Sequence, residues 1–467
     1  MLFNSIPYFI FLAIALIAYY VIPGRFRSGL LLVCSYFFYL SFDWRFGGLL
    51  LAQTAICYGA GIGLERVTSL NTRKWCVALV CLLSFGCLGG FKYCNFCLES
   101  FEWLCHVLRI EYVSPHLDIL LPVGISFFIF QSVGYVVDVY RGKFPAERSF
   151  PVFALFVAFF PQLACGPIGR SFELIPQLKT PHSFVPEDIE AGLNQIVWGL
   201  FKKVVIADRL AGYVNMVYGG VYSASSPSLL LAAIFFSIQI YCDFSGYTDI
   251  AIGSARLFRI RLRKNFDFPY FAESINEFWK RWHISLTSWF RDYLYIPLGG
   301  NRCSIFRWGC NVLLVFLVSG LWHGAAWTFI VWGGLHGALQ LLENAVRGRK
   351  PAPYGHWWSR FWATLLTLGL VTMAWVFFRA PDFPAALAVF KGIACWHGRL
   401  AMGASQVTFL LNGLLVIALL LMEIVLYHWR NVSRSTSPWL RSVGFATLLS
   451  AIALLGQSSE SFIYLQF

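Results

Sequence analysis

Long, nearly unbroken apolar runs constrain this chain more than any motif does. Residues Ile6 to Ile22, Ile119 to Val137, Leu229 to Tyr241, Val312 to Leu335, Phe361 to Phe378 and Phe409 to Leu426 form the clearest of them. A helix needs about 20 apolar residues to cross the hydrocarbon of a bilayer, and most of these runs come near that; Leu229 to Tyr241 falls short. Weaker or broken runs lie near 30–42, 47–64, 75–91, 150–165, 190–206 and 441–456. Backbone polar groups find no water inside lipid, so a helix is the natural solution for such runs. Charged residues make up only 13% of the chain, against about 25% in soluble domains, so most of the surface does not face water. The expectation is an all-α integral membrane protein with about 10 to 12 transmembrane helices, some partial, as one polytopic domain over residues 1–467.

The first run lacks a basic segment before it and a small-residue cleavage site after it. Arg25 and Arg27 follow instead. It reads as a retained anchor with its N-terminus outside. The net charge of +13 belongs to loop Lys and Arg that set orientation, not to nucleic-acid binding. Arg66, Arg73 and Lys74 form one cluster, and Arg141, Lys143 and Arg148 another; both fit cytoplasmic loops in an up-down count. The stretch from Arg256 to Arg307 is also strongly basic, yet the same count places its start outside. One of the runs 150–165, 190–206 and 229–250 must then fail to cross, which calls for re-entrant or interfacial helices beside a protein-lined cavity.

Thirteen cysteines lie mostly in apolar runs, where Cys behaves as a small hydrophobe. Cys94 and Cys97, with Cys105 and His106 nearby, make a single CxxC, too little for a zinc site; no metal is expected. No internal repeat appears, and residues 351–353 and 433–438 read as loops. GxSxG, P-loop and HExxH patterns are absent, which leaves serine-hydrolase, phosphate-loop and zincin chemistry without support.

Three features are candidates for chemistry. Taken as one helix, Ile275 to Leu294 places Asn276, Lys280, His283, Thr287 and Arg291 within roughly 80° of one another, opposite Ile275, Phe278, Trp282, Leu286 and Trp289. That cationic stripe suits lipid phosphates, or an anionic ligand at a cytoplasmic entrance. Next, Val318-Ser-Gly-Leu-Trp-His-Gly324 puts His323 near the middle of an apolar run, close to the bilayer midplane. Ionisable groups inside membranes are functional candidates by default, and an uncharged imidazole there can act as a general base. A histidine merely satisfied by a neighbouring helix is the competing account. His336 reads as a packing residue. Finally, Asp138, Asp243 and Asp249 fit either proton relays of a transporter or hydrogen-bond anchors between helices, the commoner role beside Tyr and Ser.

Several blocks together resemble the membrane-bound O-acyltransferases, and within them the alginate O-acetylation branch. They are Leu121-Pro-Val-Gly-Ile-Ser-Phe-Phe-Ile-Phe-Gln131 through Asp138-Val-Tyr-Arg-Gly142, Phe160 to Arg170, and Tyr241 to Gly253. The strongest is Asn276-Glu-Phe-Trp-Lys-Arg-Trp-His-Ile-Ser-Leu286, running into Phe290 to Arg302. Leu321-Trp-His-Gly324 and the final Phe462 to Phe467 complete the set. The resemblance implies an all-helical fold around a central tunnel. It implies His323 as the catalytic position and His283 as a second functional histidine. Asn276, Lys280, Thr287, Arg291 and Trp322 are the expected substrate contacts, the first four on helical spacing alone.

It further implies no bound cofactor, an acyl thioester such as acetyl-CoA as donor substrate, and a hydroxyl of an extracytoplasmic polymer, alginate-like or peptidoglycan, as acceptor; with no acyl-enzyme nucleophile evident, direct transfer is expected. A periplasmic or membrane-anchored transferase would be the partner, and the bacterial inner membrane the location. The alternative is a polytopic transporter or flippase of an acetyl or glycan precursor. It would show pseudo-symmetric halves, which the sequence does not.

Overall fold

The computed structural model describes residues 1–348, 354–403, 405–429, 438–457 and 462–463. The expected loops at 351–353 and 433–437, and the block after Ile463, lie outside the described residues. Among the described residues the regular structure is helical throughout. Among the described residues six helices are long and apolar enough to cross a membrane, and four shorter apolar helices accompany them. The count expected from sequence thus separates into full-length candidates and shorter pieces. The helices group into two compact units, residues 1–193 with 251–263, and residues 194–250 with 264–467.

In the first unit, α1 (Ile6–Val21), α2 (Arg27–Leu40), α3 (Gly47–Arg66), α4 (Leu70–Lys92) and α5 (Cys94–Val107) follow one another with short links. After a long irregular stretch come α6 (Ile125–Tyr140), α7 (Phe150–Ala158), α8 (Phe160–Leu163), α9 (Ser171–Lys179) and the start of α10 (Pro186–Leu200). Helix α6 is buried almost all round. Its Ser132 accepts a hydrogen bond from Gln53 of α3 at 2.9 Å, while Gln53 also donates to Ser84 of α4 at 3.0 Å. Such side-chain bonds join helices where lipid offers no competing partner. The 150–165 run does not form one span. It breaks at Phe159 (φ −51°, ψ 109°) into α7 and α8, and the nine residues of α7 extend only about 14 Å. This run therefore does not form a single helix long enough to cross.

In the second unit, α10 runs without a break into a π-helix (Phe201–Ala207) and then α11 (Asp208–Gly219). Helix α12 (Ser226–Leu257) has 32 residues, so the short apolar run at 229–241 is part of a much longer element whose last residues belong to the first unit. Helices α10 and α12 cross at glycines: a Cβ on Gly199 would lie 2.5 Å from the Gly246 carbonyl oxygen, and one on Gly246 would lie 2.7 Å from that of Gly199. Then come α13 (Ile275–Arg281), α14 (Ile284–Phe290), a second π-helix (Arg291–Tyr295), α15 (Ile305–His323), α16 (Trp327–Arg347), α17 (Trp357–Arg379), α18 (Phe383–Ala394), α19 (Gln406–Trp429) and α20 (Pro438–Leu455).

Two expectations are corrected here. Ile275 to Leu294 is not one helix: Trp282 is extended and His283 is left-handed (φ 44°, ψ 53°), which separates α13 from α14. Val312 to Leu335 is not one span either. It turns at Gly324 to Ala326, both extended, so His323 closes α15 at the tip of a helical hairpin and does not sit midway along a crossing helix. The hairpin is close-packed because glycines face backbone: a Cβ on Gly320 would lie 2.2 Å from the carbonyl oxygen of Phe329, and one on Gly333 would lie 2.2 Å from that of Phe316.

Candidate functional site

The site grows from the break between α13 and α14. Ser274 caps α13 by accepting the backbone N–H of Glu277 at 3.0 Å, and Glu277 reaches back to the N–H of Glu273 at 2.8 Å. This pairing of a capping Ser with a Glu three residues on fixes where the helix starts. It ends because the segment before it captures the next backbone groups. The Asp267 N–H donates to the Arg281 carbonyl at 2.9 Å, and the Ile284 N–H donates to the Asn265 carbonyl at 2.9 Å. A non-glycine residue in the left-handed region is strained, though His tolerates it better than most. Here the surrounding bonds hold His283 in place.

The consequence is a change of direction. A continuous helix would present His283 beside Lys280 and Arg291. In the structure Lys280 and Arg291 are exposed, whereas His283 is completely buried. Arg291 pairs with Asp292 at 2.9 Å. Asn276 is half-buried and accepts from Gln340 at 3.3 Å, and the half-buried Thr287 donates to the Trp282 carbonyl at 3.3 Å. The five stripe residues thus divide into outward cations, two helix supports and one inward imidazole.

Asn265 sets the chemistry of that imidazole. Its Oδ1 accepts the Ser285 N–H at 3.1 Å and the Ser285 hydroxyl at 2.9 Å, and lies 3.1 Å from His283 Nδ1. A backbone N–H only donates, so the Asn265 atom is an acceptor and His283 Nδ1 carries the proton. In the neutral ring Nε2 is then the lone-pair nitrogen. It is buried and makes no hydrogen bond to any of the described residues. His283 lies outside the helices long enough to span, and burial pushes its imidazole down to about 3; desolvation disfavours the charged ring.

His323 is 2% exposed, and its ring centroid is 6.3 Å from that of His283. Trp322 touches both rings, at 5.9 Å and 4.9 Å between centroids. Trp332 and Phe378 flank His323 at 5.0 and 5.6 Å, and Phe244 stands nearly perpendicular to His283 at 4.7 Å. The outcome is a pair of imidazoles in an aromatic wall, brought together from positions forty residues apart. His336 is buried against Trp279 and Trp332, both at 5.0 Å, in keeping with a packing role.

The carboxylates act as anchors. Asp249 pairs with Lys202 at 2.6 Å and accepts from Gln195 at 3.0 Å. Lys203 is enclosed between Asp243 at 2.6 Å and Asp208 at 2.7 Å. Asp138 accepts from Ser171 at 3.4 Å. Among the described residues no group of His, Cys, Asp and Glu is arranged to hold a metal ion. Asn265, Lys202 and Lys203 were not singled out from sequence. The Lys pair could have been noticed as two charges inside the apolar run 190–206; Asn265 carries no such signal.

Two buried imidazoles thus lie side by side in an all-helical body that carries helices long and apolar enough to cross a membrane. Residues 145–363 match the model of the membrane-bound O-acyltransferase family. "Probable alginate O-acetylase AlgI" of Azotobacter vinelandii is 40% identical over 84% of this chain and 78% of its own length. The protein of that name in Pseudomonas putida is 36% identical over the full length of both. A peptidoglycan O-acetyltransferase of Helicobacter pylori is 32% identical over all of this chain and 98% of its own. The chain belongs to the membrane-bound O-acyltransferase family, and it is a multi-pass membrane acyltransferase that uses an acyl donor. The transporter alternative is not favoured.

Proposed function

We propose that this protein, acting as one polytopic domain over residues 1–467, moves an acetyl group from a cytoplasmic thioester, acetyl-CoA, through the bacterial inner membrane toward a hydroxyl of an extracytoplasmic polysaccharide. Relatives named for alginate and for peptidoglycan support a polymer of that kind. A periplasmic or membrane-anchored transferase completes the delivery. Within the site His323 takes the proton of the attacking hydroxyl. The new C–O bond forms, the C–S bond breaks, and the imidazolium returns its proton to the leaving thiolate. His283 accepts a hydrogen bond at Nε2 and orients the hydroxyl. Trp322 forms the wall shared by both rings. Lys280 and Arg291, outward on either side of the break, meet the donor phosphates at the cytoplasmic mouth of a tunnel, and Asn276 and Thr287 brace the two helices.

The observation that carries this reading is the 6.3 Å pairing of two buried imidazoles, one with its tautomer fixed. That same tautomer supports a second reading with the roles exchanged. A carbonyl behind Nδ1–H makes Nε2 of His283 the better-oriented base. Purified wild type, His323→Ala and His283→Ala, given labelled acetyl-CoA with partner and polymer fragments, test both. Turnover of His323→Ala equal to wild type excludes the first reading. Loss of about 10²–10⁴-fold confined to His283→Ala selects the second.

A further inference from the structure

Asp243 has a second oxygen that the helix anchoring leaves over, and the chain uses it at a distance of 220 residues. Oδ1 pairs with Lys203, and Oδ2 accepts the backbone N–H of Ile463 at 2.9 Å. The segment reaching Ile463 is tied to the π-helix and α11 at two earlier points. The Leu455 carbonyl accepts from Arg209 at 2.8 Å, and the Gln457 N–H donates to the Val204 carbonyl at 2.9 Å. Phe462 is 1% exposed. It stacks on Tyr247 at 4.4 Å and touches Phe244 at 5.7 Å. Phe244 is the ring whose face or edge meets His283 at 4.7 Å. One line of contacts therefore runs from Lys203 through Asp243 to Ile463, and from Phe462 through Phe244 to His283.

We propose that Phe462 and Ile463 are positioning residues of the acyl-transfer site: Asp243 latches Ile463, and the latched Phe462 holds Phe244 against the buried His283 ring. The inference rests on the reading that His283 belongs to the site. Three features favour it over simple helix packing. The latch uses a carboxylate already paired with a buried Lys, so the N–H is captured by a fixed acceptor. The contact ends on the His283 wall. The π-helix, whose widened turn presents Lys203 and the Val204 carbonyl to these partners, is a backbone form frequent at functional sites.

Ile463→Pro removes the donated N–H while also fixing φ at 463 and restricting Phe462, and Phe462→Ala removes the stacked ring; Phe462→Tyr keeps it. All three, with His283→Ala, are assayed as full-length protein with labelled acetyl-CoA, recording kcat, KM, the melting temperature and the pH dependence of kcat/KM. His283 faces Asn265, Phe244, Phe266, Trp322 and His323, so His323 is the titratable group that shares its environment. The expected result is a fall in kcat of about tenfold or more for Ile463→Pro and Phe462→Ala with KM unchanged, and near-wild-type turnover for Phe462→Tyr. The acid limb of the profile should move up in pH, as a loosened wall lets water reach the His283 ring. Wild-type kcat and profile in Ile463→Pro and Phe462→Ala, while His283→Ala is inactive, overturn the latch alone. A loss that follows only the melting temperature overturns it too. Full activity of His283→Ala overturns the site reading beneath it.

Discussion

The hairpin of α15 and α16 allows a quantitative test of how tightly the position of His323 is specified. At Gly333 an added Cβ would lie 2.2 Å from the carbonyl oxygen of Phe316 and 3.2 Å from Gly320 Cα. Real Cβ contacts begin at 3.0–3.4 Å, so Gly333→Ala requires the two backbones to part by about 1 Å. The obstructing atom is a helix carbonyl, not the end of a flexible side chain, so α15 must move as a body. Phe316 stands two turns before His323, and the displacement passes to the imidazole. Overpacking of this kind costs about 1–3 kcal/mol of stability. A misplacement of about 1 Å at a reacting group costs up to about 10²-fold in rate, equivalent to about 2.7 kcal/mol at the transition state. Gly334→Ala is the matched control. It lies on the same helix one residue along, and its Cβ meets only Leu317 Cδ2 at 3.4 Å, with a helix-propensity gain of about 0.8–1.0 kcal/mol. Acetyl turnover and melting temperature of both variants in detergent decide the matter. Gly333→Ala should lose most of its activity and some stability, and Gly334→Ala neither. Equal turnover in the two variants refutes the claim that this crossing positions His323.

Replacing Asn265 by Leu removes the acceptor shared by His283 and Ser285; a fall in kcat of about 10–100-fold is expected, with Asn265→Asp retaining more activity than Asn265→Leu in the same assay. Lys203→Met leaves Asp208 and Asp243 buried without their cation, which should cost about 3–5 kcal/mol, seen as a large drop in melting temperature; Lys280→Ala on the outer surface should leave it nearly unchanged. The folded His283 is held near 3, below its ordinary 6.5. Above that ordinary value both states are neutral and the group is silent. Between it and the folded value only the unfolded chain takes up the proton, so stability should fall with decreasing pH, by up to about 1.4 kcal/mol per unit. His283→Gln, read by thermal unfolding between pH 7 and 4, should flatten that slope, and an unchanged slope counts against a neutral buried ring.

The parts legible in the sequence are those governed by local composition. Apolar runs announce helices because lipid leaves the backbone no other partner, whereas the charge count says only that one of three runs fails to cross, not which. Periodicity fails where a tertiary partner interrupts it. Nothing in Lys280-Arg-Trp-His283 signals a break. It exists because Asn265 and Asp267, from the preceding segment, bond to the backbone at Ile284 and Arg281. An angular projection then assigns His283 to the wrong side. The same blindness merges α15 and α16. Gly324-Ala-Ala326 is apolar and small, so it continues the hydropathy of its neighbours while turning the chain. Both failures fall on the two histidines. The break before α14 sets the His283 ring against the side chain of Asn265, and the turn after His323 ends α15 at that ring. The irregularities that defeat the reading of periodicity are thus the same ones that assemble the site.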